Sequence, residues 1–153
     1  MTQADKELLL KDLCARWPYG VICQFIWTYS NETTDGEDVI AKEDDSIRCI
    51  DIHTKEILAD YYGEWVDVEY CKPYLRPMSS MTEEEKDELT LIKDKDFETV
   101  RKWYNSQYMN EIDTPCPVTS GEVDYCNKHH IDYRGLIEKG LAIEAPEGMY
   151  KTD

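Results

Sequence analysis

The sequence predicts an α+β fold: a small antiparallel β-sheet packed with an N-terminal helix and several C-terminal helices. Three observations predict it. Apolar residues first recur at helical spacing over residues 3 to 16, then switch to alternation from Val21 to Tyr29. Further alternating runs follow after short connections with no helical pattern between them, which favours antiparallel pairing. Beyond Ser80, capping-box spacings and helical stripes take over. Strand counts leave a partly closed five-strand barrel with helical additions as the alternative. The 153 residues are read as one domain over 1–153, helix plus sheet in 1–75 and mostly helical in 80–145.

The leading helix is capped by Thr2 and carries Asp5 in its first turn, where a carboxylate suits the helix dipole. Leu9, Leu10, Leu13, Cys14 and Trp17 make its apolar face, and Pro18 stops it. In the first strand Val21, Cys23, Phe25, Trp27 and Tyr29 point one way, with Val21, Phe25 and Trp27 facing Leu9, Leu13 and Trp17 of the helix. Asn31 to Gly36 reads as a loop, a short strand is placed near Val39, and strands are expected over Ile47–His53 and Tyr62–Tyr70. Cys71 to Ser80 reads as irregular because Pro73 and Pro77 disfavour helix interior and central strand alike. Ser80 with Glu83, or Thr82 with Glu85, starts a charged helix; a second is expected over Asp96–Met109. Thr119 with Glu122 opens a third, over about residues 120 to 129. Asp132 caps a last short one that ends at Gly140.

Charge narrows the function. Seventeen basic against 33 acidic residues give a net charge of −16, which repels phosphate, so no direct nucleic-acid binding is expected. No apolar run approaches a membrane span, and Met1 to Lys11 does not read as a signal peptide. The six cysteines, none in a C-x-x-C pair, are read as reduced and structural in a cytosol. The acidity is concentrated: residues 31 to 69 carry 13 acidic and 3 basic residues. Within that section Tyr61, Tyr62 and Trp65 lie beside Asp67 and Glu69, aromatic anchors inside a charged rim, the pattern of a protein interface. The competing reading is a solvated, solubilising face.

Catalytic signals are weak. No phosphate-binding glycine loop, nucleophile elbow or H-E-x-x-H motif is present, and no catalytic residue is assigned. Cys126 and His130 share i, i+4 spacing and Cys116 is a conceivable third ligand, but nothing closes a four-ligand set, so no metal and no cofactor are expected. A Cys/His pair of Cys14 or Cys23 with His53 has no support beyond residue type. Asp44-Asp45 and Glu37-Asp38 are read as solvated loop carboxylates. The alternative to a binding module is a small-ligand or enzymatic site around His129, His130, Tyr133 and Arg134, where a planar ring and a guanidinium can face an anion.

Three parts of the chain carry a resemblance. They are Lys6–Val21 (Lys-Glu-Leu-Leu-Leu-Lys-Asp-Leu-Cys-Ala-Arg-Trp-Pro-Tyr-Gly-Val), Lys72–Lys86 (Lys-Pro-Tyr-Leu-Arg-Pro-Met-Ser-Ser-Met-Thr-Glu-Glu-Glu-Lys), and His129–Ala142 (His-His-Ile-Asp-Tyr-Arg-Gly-Leu-Ile-Glu-Lys-Gly-Leu-Ala) with Glu144–Tyr150 (Glu-Ala-Pro-Glu-Gly-Met-Tyr). Together they resemble a family of small uncharacterised proteins of gut Bacteroidales and their phages or mobile elements. The resemblance implies no activity, cofactor or catalytic residue. The acidic section and residues 94 to 118 fall outside it and are expected to be the partner-specific parts. The sequence therefore reads as a non-enzymatic acidic protein-binding module, and the resemblance implies a phage or mobile-element factor acting on a basic host protein in the cytoplasm of a bacterial host.

Overall fold

The computed structural model describes residues 1–30, 38–108 and 120–150. Helix α1 (Gln3–Arg16) starts at a complete capping box: Thr2 Oγ1 accepts from the Asp5 amide and the Asp5 carboxylate accepts from the Thr2 amide. Pro18 ends it, and Trp17–Tyr19 form a 3₁₀ turn. Trp17 therefore leaves the helical stripe. It is 38% exposed, and its indole Nε1 donates to the Ile47 carbonyl at 2.9 Å instead of joining the core.

Six strands follow among the described residues: β1 (Ile22–Ser30), β2 (Asp38–Asp51), β3 (Glu56–Ala59), β4 (Trp65–Asp67), β5 (Cys71–Leu75) and β6 (Ile143–Glu144). Their order is β4-β3-β2-β1-β5-β6. The first five pair antiparallel; β6 joins β5 in parallel and makes the sheet mixed. The fold is α+β, and the sheet is not closed. It nevertheless curls strongly, because β4 and β5 occupy opposite ends of the five-strand order while only the 3₁₀ turn Val68–Tyr70 separates them in the chain. Inside the curl lies the main core. Leu9 and Leu13 of α1 pack on Val21, Cys23, Phe25, Ile47, Ile57, Ala59, Val66, Val68 and Cys71, with Trp27 partly buried against them.

Several expectations need correction. The strand near Val39 and the strand over Ile47–His53 are one long strand, β2, and Asp44-Asp45 belong to it. Nine successive pairs with β1 hold it extended through its charged stretch. Pro73 sits inside β5, paired with Cys23. A proline is tolerated there because β6 reaches only Tyr74 and Leu75, leaving the strand without that neighbour at Pro73. The Tyr62–Tyr70 run shortens to Trp65–Asp67. Gly63 turns the chain at φ 67°, and the Asp67 carboxylate accepts from the Glu69 amide to start the 3₁₀ turn.

The charged helix and its successor are one element, α2 (Glu83–Tyr108), begun by the Thr82–Glu85 box. Helix α3 runs Ser120–Lys128. The loop expected at 31 to 36, Cys116 and the Thr119 cap lie outside the described residues. Residues 132 to 139 form turns, not a helix. Asp132 does accept from the Leu136 and Ile137 amides, but Gly135 at φ 68° breaks any helical run. Among the described residues, no helix is long and apolar enough to cross a membrane.

Candidate functional site

The curl of the sheet leaves a seam. On one side β1 pairs with β2 along its whole length; on the other it meets β5 only from Cys23 to Phe25. From Ile26 onward, among the described residues, that second edge has no strand on it. Strand β4 pairs with β3 and, among the described residues, with no other strand, and it lies across the cavity from β1. Ile26, Trp27 and Thr28 of β1 and Trp65, Val66 and Asp67 of β4 line a cavity of about 370 Å³ between them, flanked by Ile40 and Tyr70.

The aromatic residues around this seam are held by local geometry. Asp45 accepts from the Tyr61 and Tyr62 amides at 2.7 and 3.2 Å, which fixes the β3–β4 turn beside β2. The Tyr62 ring then packs on Trp27 with centroids 5.4 Å apart, and Tyr61 meets Tyr62 edge-on at 5.1 Å. Tyr62 Oη donates to Glu43 Oε2 at 3.1 Å, and that bond to a carboxylate pushes the phenol pKa up. Tyr61 is 84% exposed and Trp65 47%, and Tyr29, Ile40 and Tyr70 are exposed as well. Large exposed rings gathered at one place are uncommon on a solvated surface.

Of the five residues that the acidic section offers as partner-binding, Tyr61, Tyr62 and Trp65 project from this region. Asp67 and Glu69 do not share a strand face, since β4 ends at Asp67. Both reach Lys6 of α1, at 3.1 and 3.3 Å. Burial pushes the Asp67 pKa up, but the Glu69 amide and Lys6 outweigh it and hold the carboxyl below its usual value. Part of their charge is thus used inside the fold, and Glu43 and Glu64 are the better rim carboxylates. Trp27, Ile40 and Tyr70 also belong to the site. Only the β1–β2 register, with Thr28 opposite Ile40, and the curl of the sheet bring them in.

The four residues of the ligand alternative separate. His129 and His130 line a cavity of about 270 Å³ with Tyr19, Arg76, Lys128, Met149 and Tyr150. A larger one of about 660 Å³ adjoins it through Arg76 and Tyr150. Its main cation is already paired: Arg76 donates twice to the Glu85 carboxylate, both at 2.8 Å, and holds that carboxyl low. Tyr133 and Arg134 line neither cavity. Arg134 Nε donates to its neighbour Tyr133 and lies 3.2 Å from the buried Asp12 carboxylate.

His130 carries the other unusual backbone. Its φ is 55°, at the position just past α3 where glycine is normal. The Ile131 amide donates to the Cys126 carbonyl and the His130 amide to Asn127, the hydrogen-bond pair of a Schellman helix end. His130 thus leaves the helical path, so its i, i+4 relation to Cys126 on one face is lost. Among the described residues, no three His, Cys, Asp or Glu side chains gather where a metal ion fits. Cys14, Cys23, Cys49, Cys71 and Cys126 are free thiols. Burial, then Cys71, pushes the Cys23 thiol well up, whereas His53 sits exposed in the β2–β3 turn. Comparison with known proteins gives no match, whether to a family model, a curated protein or a solved structure.

Proposed function

We propose that the protein is a non-enzymatic acidic binding module that holds a basic protein against the aromatic surface at the β1–β4 seam. One observation carries this reading. Ile40, Trp65 and Tyr70 line one cavity with Trp27, and Tyr62 and Tyr61 pack outward from Trp27, in and beside a section of chain with 13 acidic and 3 basic residues. Aromatic anchors provide affinity when a partner desolvates them, and surrounding carboxylates steer a cationic partner to them. The resemblance to proteins of phages and mobile elements supports a host protein as that partner, met in the bacterial cytosol. The module acts by occupying a basic surface; no chemistry is required of it.

The test is kinetic. A basic partner eluted from affinity purification in the native host is measured against Trp65→Ala and against the double variant Glu43→Gln, Glu64→Gln. Trp65→Ala is expected to weaken binding by roughly 30-fold, mainly by faster dissociation, the size of an interface hot spot. The charge variant is expected to slow association and flatten its salt dependence. Circular dichroism should show both variants folded, because Trp65 and Glu64 are exposed and Glu43 holds only a surface phenol. Unchanged kinetics in both variants would contradict the proposal.

A further inference from the structure

Resting on that reading, we infer that the partner is captured as an extended, lysine- or arginine-bearing segment that adds as a strand along the second edge of β1, from Ile26 to Tyr29. An edge strand offers a row of amides and carbonyls, and proteins normally blunt it with lysine, proline or a bulge. Ile26-Trp27-Thr28-Tyr29 has none of these. The four residues are β-branched or aromatic, and their register with Lys42, Ala41, Ile40 and Val39 of β2 is unbroken. One edge is thus held straight by β2, while among the described residues the other meets no strand beyond Phe25.

The cavity of about 370 Å³ lies along that edge and is walled on its far side by Trp65, Val66, Asp67 and Tyr70. Alternate side chains of an added strand point to opposite faces. One set enters the cavity, which is lined largely by apolar and aromatic groups; the other meets the rim. Charge selects the occupant. Glu43 and Glu64 are the rim carboxylates beside this cavity, so the outward set is best cationic. Backbone hydrogen bonds supply affinity and the alternating pockets supply specificity, as in other strand-addition complexes.

The probe is a short capped peptide alternating valine and lysine, titrated onto the whole protein while its amides are followed by NMR. Two companions carry the same charge: a copy N-methylated at alternate residues, and a helical leucine–lysine peptide. The alternating peptide is expected to bind, to slow amide exchange within Ile26–Tyr29, and to lose about tenfold or more on N-methylation, since each backbone hydrogen bond lost is worth about fivefold. Equal binding of all three peptides would overturn strand addition and leave the acidic-surface reading standing. Failure of every basic peptide to bind the folded protein would overturn both.

Discussion

Alanine in place of Asp12 is expected to destabilise the protein by about 3–5 kcal/mol, the usual consequence of stranding a buried charge. Asp12 and Arg16 stand one turn apart on α1, and both side chains are fully buried. Arg16 Nε donates to Asp12 at 2.8 Å, and its two terminal nitrogens donate to the carbonyls of Cys126 and Ile131 at 3.2 and 2.8 Å. One guanidinium therefore ties α1 to the end of α3. The Tyr133 ring lies against both Arg16 and Arg134, with their guanidinium carbons 5.6 and 4.8 Å from its centroid. Without Asp12 the Arg16 charge stays in the interior with carbonyl partners and no counter-charge beside it. Replacing the pair together, Asp12→Leu with Arg16→Met, is expected to cost less than Asp12→Ala alone, because the fully buried Arg16 charge is then gone and only the partly exposed Arg134 loses its counter-charge. Urea denaturation followed by circular dichroism checks both. A loss under about 1 kcal/mol for Asp12→Ala would mean that Arg16 reaches water on its own.

Acidification is expected to destabilise the fold by about 3 kcal/mol through His130, almost entirely between pH 6.5 and 4. Burial, with Arg16 nearby, pushes this imidazole down to about 4. The ring is 4% exposed and stacks on Tyr150 with centroids 4.0 Å apart. Below pH 6.5 the unfolded chain takes up a proton at this residue that the folded chain refuses until about pH 4. Stability is therefore fully present above 6.5 and falls as the pH drops through that window. His129, also pushed down by burial, acts in the same direction. Relief of repulsion within a chain of net charge −16 acts against both. His130→Asn isolates the effect, because asparagine accepts the left-handed backbone and does not titrate. Its urea-derived stability should be flatter between pH 6.5 and 4 than that of the wild type. An equally steep fall in the variant would remove His130 from the account.

Neither effect is announced by the sequence. Arginine is among the least buried residue types, so Arg16 on an amphipathic helix reads as surface. Its partners Cys126 and Ile131 lie more than a hundred residues away. Leu9, Leu13, Val21 and Phe25 were legible because apolar periodicity directly records a buried face. The continuity of β2 was not. Its exposed face is charged through Lys42 and Asp44, and only pairing with β1 shows that this stretch is strand. Proline and glycine misled in opposite ways: Pro73 is accommodated where β6 stops short, and Gly135 interrupts what looked like a capped helix. At the candidate site the rings of Tyr61, Tyr62 and Trp65 stood out against polar neighbours. Lys6 facing Asp67 and Glu69 could not be foreseen, since sequence distance hides such pairs.

The most direct measurement is amide hydrogen exchange on the protein alone and in complex with the basic partner taken from its host. Binding at the seam predicts slower exchange within Ile26–Tyr29 of β1 and Trp65–Asp67 of β4, with Arg76, His129 and Tyr150 unchanged. Protection confined to the Arg76, His129 and Tyr150 cavity, with β1 and β4 exchanging as before, would contradict it.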